Sequence, residues 1–213
     1  LQTQVDELHG LQSGLIRIGA ISSVSAHWLP GIISKFKNDY PNIDYELLVG
    51  DYSDVEGWIL DGRVDCGFLR LPVASGLETI FMKEDRLVVI MPHDHPMADC
   101  ERFPAESLRG ETFMFSRAVM EPEIAAIIAR YKIVPKVRFA TCGDYAVMSM
   151  VESGLGISIL PELMLQRTPY RIVTKELDTP ICRKICFALR DMNTTSIAIK
   201  RFIDYLVVRS VND

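Results

Sequence analysis

From Leu15 to Leu69, short β-branched runs alternate with segments of helical periodicity, and that alternation confines the chain to the α/β class. Leu15 to Ile21 reads as a strand. In His27 to Tyr40, residues Leu29, Ile32, Ile33 and Phe36 share one helical face, and Pro41 stands just beyond, where it cannot extend the helix. Ile43 to Val49 is a second strand, Ser53 to Asp61 a second helix closed by Gly62, and Asp65 to Leu69 a third strand. The order is βαβαβ, which predicts a parallel, doubly wound sheet.

A second block repeats the pattern. Leu87 to Met91, Thr112 to Phe115, Val137 to Ala140 and Gly156 to Leu160 read as strands. Glu121 to Lys132 and Asp144 to Glu152 read as helices between them. An extended stretch near Lys184 to Leu189 follows. The last helix places Ile199, Phe202, Ile203 and Leu206 on one face. Two such blocks predict two Rossmann-like lobes with a ligand cleft between them, since ligands of open parallel sheets bind at the carboxyl ends of the strands.

The 213 residues allow one large domain or two lobes. No apolar run approaches the length of a membrane span, and the first residues carry no secretory pattern, so a cytoplasmic protein is expected. The formal net charge is −5 and the basic residues are dispersed, unlike a segment that itself grips nucleic acid. The five cysteines, Cys66, Cys100, Cys142, Cys182 and Cys186, lack zinc-site spacing and read as free thiols. His93 and His95, set between prolines, mark a loop, so no metal site and no cofactor is expected. No nucleophile elbow, zinc-protease or phosphate-loop pattern is present, which argues against an enzyme. Leu1 to Gln12, with Leu1, Val5 and Leu8 in coiled-coil spacing, is compatible with the end of a longer helix or with a frayed terminal one.

Several stretches taken in order resemble the LysR-type transcription regulators. They are Gly14-Leu-Ile-Arg-Ile-Gly19, Leu29-Pro30 with Phe36 and Tyr40-Pro41, and Asp61-Gly-Arg-Val-Asp-Cys-Gly67. Leu87 to Pro92 with His95-Pro96-Met97-Ala98 follows, and then Val151-Glu-Ser-Gly-Leu-Gly-Ile-Ser-Ile-Leu-Pro161. The resemblance implies a two-lobed fold like that of type II periplasmic binding proteins, with lobe I from 13–84 plus 168–213, lobe II from 85–167, and 1–12 ending a linker helix. It implies an effector-binding domain that senses a small metabolite in the cleft and assembles as a homodimer or homotetramer; Arg70 and Arg117, both facing that cleft, would favour an anionic one. DNA would be met only through a winged helix-turn-helix that this sequence does not contain. A periplasmic-type solute-binding protein, or a two-lobed enzyme acting on a small acid, are the competing readings.

The candidate effector-binding residues follow the strands. Ser22 and Ser23 lie after the first, where they can cap a helix or meet an anion. Ser23 matches the family's ligand-contacting hydroxyl. Asp51 and Tyr52 lie after the second, Asp51 either as a helix cap or as a partner for a ligand ammonium, and Tyr52 where many relatives carry a small hydroxyl residue. Arg70 ends the third strand, where it can clamp a carboxylate or bridge the lobes. In the second lobe Phe115, Ser116 and Arg117 follow one strand. Thr141, Cys142 and Gly143 follow another, with Asp144 expected as the cap of the helix beyond. Cys142 reads as a pocket-wall thiol or a redox sensor.

Overall fold

The computed structural model describes residues 13–116, 121–134, 136–141 and 143–210. The expected linker helix over 1–12 lies outside the described residues. The rest forms two compact units, one of residues up to Glu84 together with those from Lys184 on, the other Asp85–Arg183.

In the first unit, strand β1 (Gly14–Ala20) lies between β2 (Ile43–Val49) and β3 (Cys66–Arg70), all parallel. The last residues of the long strand β8 (Ile172–Leu189) pair antiparallel with β3, from Cys66↔Leu189 to Arg70↔Ile185. The purely parallel sheet expected from the sequence therefore carries one antiparallel member, because the chain re-enters this unit directly along β8 and not through a βα crossover. Ile16, Ile18 and Ala20, alternate residues on one face of β1, are fully buried, while Leu15 on the other face is exposed.

Helix α1 (Ser22–His27) and helix α2 (Leu29–Asp39) follow β1. The helix expected from His27 thus starts at Ser22 and is interrupted at Trp28. Pro30, in the first turn of α2, has no N–H with which to continue the ladder of α1. Helix α3 (Tyr52–Leu60) packs close to the sheet over Gly19 and Gly67. A Cβ on Gly67 would stand 2.8 Å from the Gly19 carbonyl oxygen and 2.8 Å from Val55 Cγ1, so only glycine admits the helix at this distance. On the opposite face, Phe68 and Phe187 pack edge to face. Phe36 of α2 meets Phe202 of the last helix, α6 (Ile197–Ser210), with ring centres 5.4 Å apart. At the other end of the strands, Asp65 accepts the Arg17 backbone N–H and its Nη2, tying β1 to the start of β3.

In the second unit, β4 (Glu78–Pro92) pairs from Leu87 to Ile90 antiparallel with β7 (Ser158–Pro161), and β5 (Thr112–Ser116) runs parallel to β6 (Lys136–Thr141). A bridge from Phe113 to Ile157 sets the approach to β7 beside β5. Helix α4 (Pro122–Arg130) covers one face with Ile124 and Ile127 against Phe103, Phe113 and Leu177. Helix α5 (Asp144–Glu152) covers the other with Val147, Met148 and Val151 against Ile90, Met114 and Leu160.

The return to the first unit falls at 183/184 and not at the expected 167/168. Residues 172–183 of β8 belong with the second unit because their partners lie there. Phe103 N donates to the Glu176 carbonyl, Asp178 N to the Phe103 carbonyl, and Ala105 N to Asp178 Oδ1, while the Tyr131 hydroxyl meets Thr179 Oγ1 at 3.0 Å.

Candidate functional site

Every sequence-predicted residue of the first unit lies at the carboxyl edge of its parallel strands. The Gly50 N–H donates to the Ala20 carbonyl (3.2 Å), holding the exits of β2 and β1 together. Ser22 is exposed and Ser23 buried at the start of α1, where Ile21 is the N-cap residue and supplies no side-chain cap. Arg70, last in β3, stacks its guanidinium over the Tyr52 ring, 5.8 Å from the ring centre. The exits of β2 and β3 are thereby joined through a cation and an aromatic face.

Asp51 is already engaged. Its carboxylate accepts the Asp54 N–H (2.9 Å) and the Ser53 hydroxyl (2.7 Å), while Asp54 accepts the Asp51 N–H, a complete capping box for α3. The Ser53 hydroxyl and the Asp54 amide hold the Asp51 carboxyl below its ordinary pKa. We expect Asp51→Ala to cost about 1 kcal/mol of stability and Asp51→Asn much less, measured by urea denaturation, because asparagine still caps.

In the second unit, Ser116 and Thr141 are register partners at the ends of β5 and β6, one step beyond Phe115↔Ala140. Arg117 and Cys142 lie outside the described residues, and of Phe115, Ser116 and Thr141 only the backbone path is described. Gly143 is the N-cap residue of α5 with no side-chain cap, so the cap expected of Asp144 is not formed; Asp144 is the first helical residue. Its carboxylate lies in the fields of Arg183 and Glu121. Burial raises the Asp144 pKa above the ordinary carboxylate range, with Arg183 opposing the rise and Glu121 adding to it.

A carboxyl whose folded pKa exceeds its unfolded value loses stability as pH climbs through that interval. Asp144→Asn is therefore expected to raise the Tm near neutral pH. The gain should shrink as pH falls toward the ordinary Asp value of about 3.9, which melts at a series of pH values will read.

Sequence reasoning missed a buried group of charges in this unit. Arg183 is buried, donates Nε (2.9 Å) and Nη2 (2.7 Å) to Asp85 Oδ2, and brings Nη1 to 3.3 Å from Glu121 Oε1. The other Asp85 oxygen accepts the Leu163 N–H at 2.9 Å. Nothing in the local sequence signals a set of charges drawn from positions so far apart.

The remaining polar candidates are settled locally. His95 Nδ1 accepts the Met97 N–H and its Nε2 lies 3.3 Å from Glu111, as in an ordered loop. Among the described residues no group of three metal-ligating side chains occurs. Cys66, Cys100, Cys182 and Cys186 are not joined in disulfides. Burial pushes the Cys186 thiol up to about 11 and the Cys66 thiol higher still, so both stay protonated and unreactive.

A family profile described as the LysR substrate binding domain matches residues 9–209. The chain belongs to the LysR family. This LysR effector-binding domain is 29% identical over 197 residues to the HTH-type transcriptional regulator YvbU of Bacillus subtilis, covering 92% of this chain and 67% of YvbU. It is 28% identical over 198 residues to the probable HTH-type transcriptional regulator LrrA of Synechococcus elongatus, with the same coverages. Among solved structures, the effector binding domain of QuiR in complex with shikimate superposes with a TM-score of 0.83 at 21% identity, over 94% of this chain and 98% of that one. The regulatory domain of CcmR from Synechocystis, in complex with 2-PG, does so with 0.84 at 22% identity, over 93% and 98%. At these identities the likeness concerns the fold, the α/β architecture of effector-binding domains of the type II periplasmic-binding-protein kind. Among the described residues of the LysR domain no helix is long and apolar enough to cross a membrane.

Proposed function

We propose that this LysR domain holds a small anionic metabolite at the strand-end loops of its units and releases it chemically unchanged. Binding would report occupancy to a DNA-binding domain outside this chain, within a cytoplasmic homo-oligomer. The observation that carries the reading is the carboxyl edge of the first unit. There Ser22, Ser23, Tyr52 and Arg70 gather from three successive strand exits, and the Arg70 guanidinium is held against the Tyr52 ring. A guanidinium on a rigid strand end, oriented by an aromatic face, suits the planar oxygens of a carboxylate or phosphate. The Asp51 carboxylate, spent on capping α3, leaves the edge without a strong claim on a ligand ammonium. The ligands of the QuiR and CcmR structures, shikimate and 2-PG, support an oxyanion as the class.

Ligand that binds only the folded state raises the apparent stability by about 2.7 kcal/mol at a hundred times its dissociation constant. A thermal-shift series with shikimate, 2-PG and other small carboxylates and phosphate esters is expected to find a stabilising member, to recover it intact, and to lose the shift in Arg70→Ala. Consumption of the compound, or an undiminished shift in that variant, would defeat the proposal.

A further inference from the structure

Helix α3 grips the exit of β3 at two points. Its first residue, Tyr52, lies against the Arg70 guanidinium, and Glu56, one turn later on the same face, accepts the Ala74 N–H. The chain between those points is also held by β8, because Arg70 pairs with Ile185 and the Leu71 N–H donates to the Lys184 carbonyl at 2.8 Å. Leu71, Val73 and Leu77 pack against the core that holds Val55 and Ile59 of α3, while Pro72, Ser75 and Gly76 are exposed. Apolar contact thus covers only part of this turn, and the half-buried Glu56 carboxylate supplies a polar tether to it. A ring face attracts a cation without dictating where along the face it sits. Where Arg70 meets the Tyr52 ring therefore depends on the path of its backbone, and Glu56 fixes that path at Ala74.

We propose that Glu56 is a positioning residue for Arg70. By holding Ala74 it sets the place of the guanidinium over Tyr52, and with it the strength with which this edge takes an oxyanion, while touching no ligand itself. A charged fork fixed before its ligand arrives has less rotamer freedom to lose on binding. The link to affinity rests on reading the edge as the effector site, but the placement of Arg70 is a property of the ligand-free domain and is tested first without ligand. Arg70 Nε is shielded from solvent, so its proton serves as the reporter.

In nitrogen–proton correlation spectra of the whole chain, Tyr52→Leu removes the ring-current shift of the Arg70 Nε–H and so marks its signal. Glu56→Ala is expected to move that signal most of the way to its Tyr52→Leu position. Glu56→Gln, whose amide oxygen still accepts the Ala74 N–H, should leave it in place. Should Glu56→Ala fail to fold, Glu56→Asp withdraws the acceptor by one methylene, and the same movement is expected. With shikimate and 2-PG as probes, affinity should fall about tenfold in Glu56→Ala, the order of one lost hydrogen bond, and match the parent in Glu56→Gln. A lower melting temperature with the Arg70 signal unmoved would mean that Glu56 ties down the turn and nothing more, and the proposal is wrong. It is equally wrong if Glu56→Gln behaves as Glu56→Ala, or if the signal moves while a bound probe keeps its affinity. A spectrum that behaves as proposed while no oxyanion binds the parent chain would overturn the effector reading alone.

Discussion

Replacing Arg183 by Met is expected to destabilise the domain by about 3–5 kcal/mol, the largest loss for any single charged side chain described. Methionine fills much of the guanidinium's volume, so the loss does not come chiefly from a cavity. It comes from leaving Asp85 and Glu121 buried without their cation, with Asp144 close enough to feel the same change. An uncompensated charge in a buried site costs several times what an exposed pair is worth, which is why Arg86→Met, at a largely exposed ion pair with Glu162, should stay within about 1 kcal/mol. Urea titration distinguishes the two, with the midpoint falling sharply for Arg183→Met only. The double variant Asp85→Leu with Arg183→Met should recover part of the loss, since removing both partners removes most of the stranded charge. A midpoint unchanged in Arg183→Met would mean that the ion pair contributes nothing net.

Gly156→Ala is expected to cost about 3 kcal/mol, a heavy penalty for one methyl group. Gly156 has φ of 152°, a conformation that side chains with a Cβ rarely adopt. A Cβ there would stand 2.3 Å from the Thr112 carbonyl oxygen, a backbone atom that cannot rotate away. That same oxygen accepts the Ile157 N–H, and the Ile157 carbonyl accepts the Met114 N–H, so any retreat strains the junction of β5 with the entry to β7. Gly154, two residues earlier, is the internal control. It also has positive φ, at 74°, but nothing lies within 4 Å of its added Cβ. Gly154→Asn should therefore be tolerated to within about 1 kcal/mol, because asparagine accepts the left-handed region. Paired denaturation curves of the two variants test the distinction between local conformation and steric closure.

The alternation of β-branched runs and helical stripes was enough to locate β1, β2, β3, α3 and α5 to within a residue or two, and to mark the apolar face of α6. Periodicity follows directly from burial on one face. Two strands were only half legible. Residues 78–86 of β4 include Glu78, Lys83, Glu84, Asp85 and Arg86, whose charges hide the alternation. Residues 172–183 of β8 include Asp178-Thr179-Pro180, which locally reads as a turn. The second of these stretches moves the unit boundary from 167/168 to 183/184.

The strand-end candidates were legible because a βα topology obliges the loops after the strands to share one edge, whatever their side chains. Which side chain is already spent was legible only in part. The cap at Asp51 was one of the readings the sequence offered, whereas Gly143 in place of Asp144 depends on the angle at which the chain enters its helix. The Arg183 group lay beyond reach for a different reason. Its members come together only once β4, β8 and the starts of α4 and α5 have packed, and no local pattern encodes that meeting.

The seating of Phe202 from α6 on Phe36 and Phe187 has a temporal consequence. The segment from Asp85 to Arg183 is continuous, so it can complete its own core while still being synthesised. The other unit must wait, with β3 lacking one neighbour and Phe36 uncovered, until the end of β8 and α6 have been made. A released chain that stops after residue 183 should therefore display one protease-resistant body and one that is still cut.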